Sequence, residues 1–187
     1  MQSPRSDRCA SRRSVLKLGL AAAAATLAPQ TLWARSPELP EKRLSFQNLH
    51  TGESLTSTFW ARGDYVWEGL REVNHVLRDF RTGDVYPIDV KLLDLLHDLD
   101  RKLGGHNKFS VISGYRSPST NAILASADHS GVAKNSLHMS GRAIDIRIES
   151  LDLAHLHQVA LDMKRGGVGY YPKSQFVHVD VGPVRFW

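Results

Sequence analysis

The stretch Ser136-Leu137-His138-Met139-Ser140-Gly141-Arg142-Ala143-Ile144-Asp145-Ile146-Arg147-Ile148 carries two signals at once. From Arg142 onward the residues alternate. Ala143, Asp145 and Arg147 share one face, and Ile144, Ile146 and Ile148 share the other, which is the period of a β-strand. The isoleucine face asks for burial, while the other face presents a carboxylate. Gly141 lets the backbone turn between His138 and this strand. Phe176-Val177-His178-Val179-Asp180-Val181 repeats the design, with Val177, Val179 and Val181 on one face and His178 and Asp180 on the other. If the two strands are neighbours, Asp145 and His178 converge on one point, and His138 completes the corner from the loop ahead.

Working outward, Arg43–Leu49 and Leu55–Trp60 flank His50-Thr51-Gly52-Glu53 and read as a β-hairpin. Val66, Leu70, Val73, Val76, Leu77 and Phe80 recur at spacings of three and four, as do Ile88, Leu92, Leu95, Leu96, Leu99 and Leu103, so two amphipathic helices are expected. Asp89 stands at the start of the second and Gly104-Gly105 stops it. Phe109–Ser113 begins a strand that Gly114-Tyr115-Arg116-Ser117-Pro118 breaks. Ser119-Thr120-Asn121 opens a short helix through Ala127, and residues 128–137 read as a loop. A further helix is expected over 151–164, ended by Gly166-Gly167. His50, His75, His97, His155 and His157 are read as surface or cap residues. Helices and strands come in separate runs, which indicates an α+β domain over a doubly wound sheet.

The first 34 residues read as an export signal outside the fold. Ser11-Arg12-Arg13-Ser14-Val15-Leu16-Lys17 is a twin-arginine motif. The apolar run from Leu18 to Leu27 is too short for a membrane span of ~20 residues. Most of the formal charge of +5 lies in this segment, as Arg5, Arg8, Arg12, Arg13 and Lys17 against Asp7. Residues 35–187 are then nearly neutral, and no nucleic-acid partner is implied. Cys9 is the only cysteine, so the mature part can form no disulfide and is suited to an oxidising compartment. Residues 35–187 suit one domain with a sizeable core. The expected location is the periplasm, with no stable membrane span after signal cleavage.

Two imidazoles and one carboxylate are a common three-ligand set for catalytic zinc, with the fourth position left to water. His138, Asp145 and His178 are therefore the candidate Zn2+ ligands. No Gly-x-Ser-x-Gly elbow or Ser-x-x-Lys pair indicates a serine nucleophile. Gly166-Gly167-Val168-Gly169 lacks the lysine of a phosphate-binding loop.

Ser113-Gly114-Tyr115-Arg116-Ser117, Ser136-x-His138-x-x-Gly141-x-Ala143-x-Asp145 and His178-x-Asp180 resemble the zinc D-alanyl-D-alanine carboxypeptidase and dipeptidase superfamily. Within it the chain is similar to the YcbK-like murein endopeptidases over about Arg43 to Trp187. Gly131-Val132-Ala133-Lys134-Asn135-Ser136-Leu137-His138 and Gly166-Gly167-Val168-Gly169-Tyr170-Tyr171-Pro172 carry that closer likeness. The resemblance implies a small antiparallel sheet flanked by helices, a Hedgehog-like α+β fold, over a single zinc peptidase domain at 35–187. It implies a periplasmic enzyme, expected to act as a monomer, that opens peptide cross-links between peptidoglycan stem peptides. It makes His138, Asp145 and His178 the zinc ligands. Arg116 would face a developing oxyanion or a substrate carboxylate, the alternative being a structural arginine paired with a carboxylate.

Related peptidases carry an acid three residues before the last histidine, where this chain has Gln175. Asp180 is the nearest acidic substitute in sequence. It is either the general base or the group that orients a ligand imidazole through its other nitrogen; His129 is a more distant candidate. Tyr115, Tyr170 and Tyr171 either line a substrate groove or pack under the loops. Two other functions stay open: a non-catalytic zinc-containing peptidoglycan-binding module, and a carboxypeptidase or dipeptidase acting on free stem peptides. The scissile bond is also open, joining either two diaminopimelate residues or D-alanine to diaminopimelate.

Overall fold

A computed structural model describes residues 40–127 and 132–187. The export signal and His129 lie outside the described residues. Among the described residues eight strands form one sheet in the order β3-β2-β1-β4-β5-β7-β6-β8. β1 (Glu41–Asn48) and β2 (Ser54–Ala61) form the expected hairpin, and β3 (Asp64–Tyr65) adds a short edge. β4 (Lys108–Ser113) runs parallel to β1 and antiparallel to β5 (Ala143–Arg147). β7 (Phe176–Asp180) lies antiparallel between β5 and β6 (Gly167–Tyr171), and β8 (Arg185–Phe186) runs parallel to β6. The domain is α+β, as the separate runs indicate. The sheet is larger than the small antiparallel one expected, and its two parallel pairings make it mixed.

Among the described residues four α-helices accompany the sheet: α1 (Trp67–Val76), α2 (Val90–Lys102), α3 (Pro118–Ser126) and α4 (Leu153–Met163). The apolar stripes read from the sequence are the buried ones. Leu70, Val73 and Val76 of α1, Leu92, Leu95, Leu96 and Leu99 of α2, and Leu156 and Ala160 of α4 are all buried. They share a core with Phe46, Phe59, Phe109, Ile144, Ile146, Val177 and Val179. Full burial of each such side chain contributes about 1.5–3 kcal/mol of transfer free energy. Side-chain oxygens cap three of the starts: Asp89 accepts from the Lys91 N–H, Ser117 from that of Thr120, and Asp152 from those of Ala154 and His155. Among the described residues no helix is long and apolar enough to cross a membrane.

Three details depart from the sequence reading. Phe80 lies beyond α1, with its ring stacked on His50 at 3.7 Å between centroids. His157 is half-buried and stacks on Tyr170 at 4.7 Å instead of facing solvent. Helix α4 ends at Lys164, which takes the left-handed conformation itself (φ 53°). Gly166 and Gly167 therefore do not stop the helix, and Gly167 opens β6. A Cβ on Gly166 would fall 1.7 Å from the Asp180 carbonyl oxygen. These glycines are required by close contact with β7.

Asp79 anchors the turn that leads into α3. It is 1% exposed and accepts the backbone N–H of Ser117 at 2.8 Å and of Arg81 at 2.9 Å. Burial alone would raise its pKa, but these bonds and the hydroxyls of Thr120 and Ser117 prevail and hold it at about 2. Arg116 is thereby presented from a fixed loop, with Tyr115 N–H donating to the Leu77 carbonyl at 2.7 Å.

Candidate metal centre

Asp145 on β5 and His178 on β7 are direct register partners, so their side chains project from the same face of the sheet. His138 sits on a single 3-10 turn, Leu137–Ser140, whose start is capped by the Ser136 hydroxyl. Gly141 closes that turn with φ 65°, and Arg142 N–H donates to the Leu137 carbonyl at 3.0 Å. The chain then enters β5 directly, which fixes His138 over Asp145.

The three side chains converge. His138 Nε2 lies 3.2 Å from His178 Nδ1 and 3.3 Å from Asp145 Oδ1, and His178 Nδ1 lies 2.8 Å from the same oxygen. One ligand atom from each falls within 4.8 Å of the others. Two ligands held 2.0–2.1 Å from a tetrahedral zinc are about 3.3 Å apart, so the spacing fits. The outward bonds fit as well. His138 Nδ1 donates to the Gly114 carbonyl at 2.7 Å, leaving Nε2 as a lone pair. His178 Nε2 faces Asp180 Oδ2 at 3.0 Å, leaving Nδ1. Two imidazole nitrogens and a carboxylate oxygen thus face one another, a donor set that a divalent cation satisfies.

Electrostatics follow from this crowding. Burial would raise the Asp145 pKa, but His138 and His178 overcome it and hold the carboxyl far below the usual range. Burial would lower His178, but Asp145 and Asp180 prevail and raise it to about 8. The metal-free ring therefore binds its proton more tightly folded than unfolded. That contribution is fully present below the unfolded value of ~6.5 and is lost as pH rises through 8, an effect of about 2 kcal/mol. Urea unfolding of the metal-free protein should show stability falling between pH 6 and 9. A His178→Gln variant should flatten the curve; an unchanged slope would contradict the assignment.

Asp180 has no exposure, and its carboxylate is surrounded. Its Oδ1 accepts from the N–H groups of Gly167 at 3.0 Å and Gly182 at 2.7 Å. Its Oδ2 accepts from His178 and from Arg185 Nη2 at 2.7 Å. These bonds outweigh burial and hold it well below the usual carboxylate range. It meets the ring nitrogen remote from Asp145, and of its two expected roles this geometry suits the orienting one. Gln175 is exposed on the β6–β7 turn, with its amide donating to the Pro172 carbonyl.

Arg116 is 7% exposed and uses both terminal nitrogens within the protein. Nη2 donates to Asp145 Oδ2 at 3.3 Å and Ser113 Oγ at 3.2 Å, and Nη1 meets Asn121 Oδ1 at 3.5 Å. Asn121 in turn donates to the carbonyls of Ala133 and Lys134, tying the loop beside His138 to α3. The centre opens into a cavity of about 450 Å³ bordered by Arg116, His138, Asp145, Tyr171, His178 and Trp187. Tyr171 is the one of the three candidate tyrosines in that wall. Tyr115 is buried and stacks on Tyr86 at 4.8 Å, and Tyr170 packs on His157.

Sequence reasoning missed Arg185 and Trp187. Arg185 opens β8, two strands beyond His178, and Trp187 follows that strand; both reach inward across β6 because β6 has glycines beneath them. A Cβ on Gly167 would lie 2.4 Å from Asp180 Oδ2 and 2.7 Å from Arg185 Nη1, and one on Gly169 would lie 2.7 Å from the Trp187 ring. Arg185 thus crosses to Asp180, and the indole crosses to a centroid distance of 5.3 Å from His178. The signal was present as two matched alternations, Gly167-x-Gly169 and Arg185-x-Trp187.

The α+β domain thus gathers two imidazoles and a carboxylate, a donor set suited to a divalent cation, at an open cavity. The family model for peptidoglycan L,D-endopeptidase MepK matches residues 37–187. Peptidoglycan L,D-endopeptidase MepK of Escherichia coli (strain K12) is 42% identical over 178 residues, 95% of this chain and 97% of the relative. The protein of the same name from Shigella flexneri gives the same figures, 42% over 95% and 97%. A probable peptidoglycan L,D-endopeptidase MepK of Haemophilus influenzae is 38% identical over 94% of this chain and 95% of its own. The chain belongs to the MepK family of peptidoglycan peptidases.

Proposed function

We propose that this protein is a zinc-dependent murein endopeptidase that hydrolyses peptide cross-links of the bacterial cell wall. The observation that carries it is the convergence of His138 Nε2, His178 Nδ1 and Asp145 Oδ1 within 4.8 Å at the cavity floor. These three residues would hold the zinc, and what zinc supplies when bound is a Lewis acid that polarises a carbonyl and acidifies water. Gly114 and Asp180 fix the two rings so that their lone pairs point inward. Arg116 sets the outer oxygen of Asp145, and its bonds to Ser113 and Asn121 support this role over one facing the oxyanion. Asp180 is assigned to orienting His178. Asp145 is the only carboxylate bordering the cavity among the described residues, so no separate side-chain base is assigned.

The relatives' designation extends the reading to the bond. An L,D-endopeptidase does not cut after D-alanine, which is a D centre. Of the two cross-links left open by the sequence, the one between diaminopimelate residues is the substrate proposed here. The twin-arginine motif at Arg12-Arg13 supports export to the periplasm, where this substrate lies, with residues 1–34 as the signal and 35–187 as the single catalytic domain.

Digestion of intact sacculi by the zinc-loaded protein tests the function. Muropeptide analysis should reveal new termini from diaminopimelate–diaminopimelate cross-links, and a chelator should abolish them. Wall binding without new termini would overturn the peptidase in favour of a binding module. Release of single terminal residues alone would point to a carboxypeptidase.

A further inference from the structure

We propose that Tyr171 is a catalytic hydrogen-bond donor to the oxyanion formed when water adds to the scissile carbonyl, and that Trp187 positions it. This inference rests on the peptidase reading of the same site. An indole N–H can only donate. Trp187 Nε1 lies 2.7 Å from the Tyr171 hydroxyl oxygen, so that oxygen is the acceptor and the hydroxyl keeps its own hydrogen. Among the described residues no acceptor is within reach of that hydrogen, and Tyr171 borders the cavity that contains His138, Asp145 and His178. The ring has little freedom to turn away. One face stacks on Phe176, 4.5 Å between centroids and 18° from parallel, while the indole holds the hydroxyl.

The two arginines that border the cavity spend their terminal nitrogens within the protein. Arg116 gives Nη1 and Nη2 to Asn121, Ser113 and Asp145, and its Nε is buried without a partner among the described residues. Arg185 gives Nη1 and Nη2 to Asp180. The Ser136 hydroxyl accepts the His138 N–H and keeps its own hydrogen, while Asn135 and Ser174 border the cavity from exposed positions. Tyr171 combines a ring held by Phe176 and Trp187 with a free hydroxyl hydrogen and a place in the wall. A donor that is already oriented costs no reorganisation when charge develops, which is the condition for effective stabilisation of an oxyanion. Trp187 reaches its place only because Gly169 has no side chain; the indole lies where a Cβ would be, at 2.7 Å.

The test compares native protein, Tyr171→Phe and Trp187→Phe, each zinc-loaded, on one purified cross-linked muropeptide and on a phosphinate isostere of its scissile bond. Tyr171→Phe should lower kcat about 100-fold with KM, zinc content and Tm unchanged. It should weaken the phosphinate by a similar factor while leaving the affinity for uncleaved peptide alone. Trp187→Phe keeps a ring over Gly169 but loses the N–H, and should lower kcat on the order of tenfold through a less well aimed hydroxyl. Native kcat and native phosphinate affinity in Tyr171→Phe would overturn the donor role, and so would a loss of kcat that merely tracks loss of zinc. Native protein that cleaves no muropeptide would instead overturn the peptidase reading, and the donor role with it.

Discussion

Asp145→Asn should both empty the centre of metal and destabilise the fold, although it changes no shape. The carboxylate is buried between two imidazoles and the Arg116 guanidinium, which is buried as well. Removing one partner of such a pair leaves an uncompensated buried charge, which costs about 3–5 kcal/mol. The metal-free variant should therefore unfold at markedly lower urea than the metal-free native protein. Its His178 also loses the principal group that raises its pKa, so the pH dependence of stability should weaken. Zinc affinity should fall by more than the ~10–100-fold typical of losing a group outside the ligand set, and muropeptide cleavage should fall with it. Calorimetric titration with zinc and urea unfolding of the apoprotein read the two effects separately. Native zinc affinity in this variant would remove Asp145 from the ligand set.

Gly141→Ala should have a comparably large effect for a different reason. Its φ of 65° belongs to a region where a Cβ costs about 1–2 kcal/mol. A Cβ there would also approach the Pro87 carbonyl oxygen to 2.2 Å. That atom is backbone, and Asp89 N–H donates to the Gly141 carbonyl at 2.9 Å, so neither side can move freely. Overpacking of this kind typically adds about 1–3 kcal/mol. The combined loss, about 2–5 kcal/mol, is read by thermal or urea unfolding. His138 lies in the turn that Gly141 closes, so zinc affinity should drop along with stability. A variant with native Tm would mean that the entry to β5 can shift at little cost.

Much of this architecture was legible because it rests on short-range pattern. The alternation of Ile144, Ile146 and Ile148 against Asp145, and of Val177 and Val179 against His178, states which face is buried. The leucine stripe of α2 and its Asp89 cap state where that helix runs. The assumption that the two late strands are neighbours was a guess from chemistry, and register pairing bears it out. What the sequence concealed was long-range pairing. Nothing local in Lys108–Ser113 tells that it runs parallel to β1, and nothing in Gly166-Gly167 distinguishes a helix stop from space left for a neighbour. Arg185 and Trp187 were invisible for the same reason, because their purpose depends on a strand that is not adjacent in sequence. Asp180 was visible as a carboxylate, but only the surrounding N–H groups of Gly167 and Gly182 reveal that it faces away from the cavity.

The pairing of Asp145 with His178 also makes the centre a proofreader of its own folding. A slip of one residue between β5 and β7 would turn every side chain to the opposite side. The acid and the imidazole would then be driven among Leu, Ile and Val, while isoleucines surfaced in the cavity. No chain so misassembled could gather the donors for a cation. Correct alignment and readiness for chemistry therefore arrive in the same event, and a wall-cutting activity cannot be displayed by a molecule whose sheet is out of step.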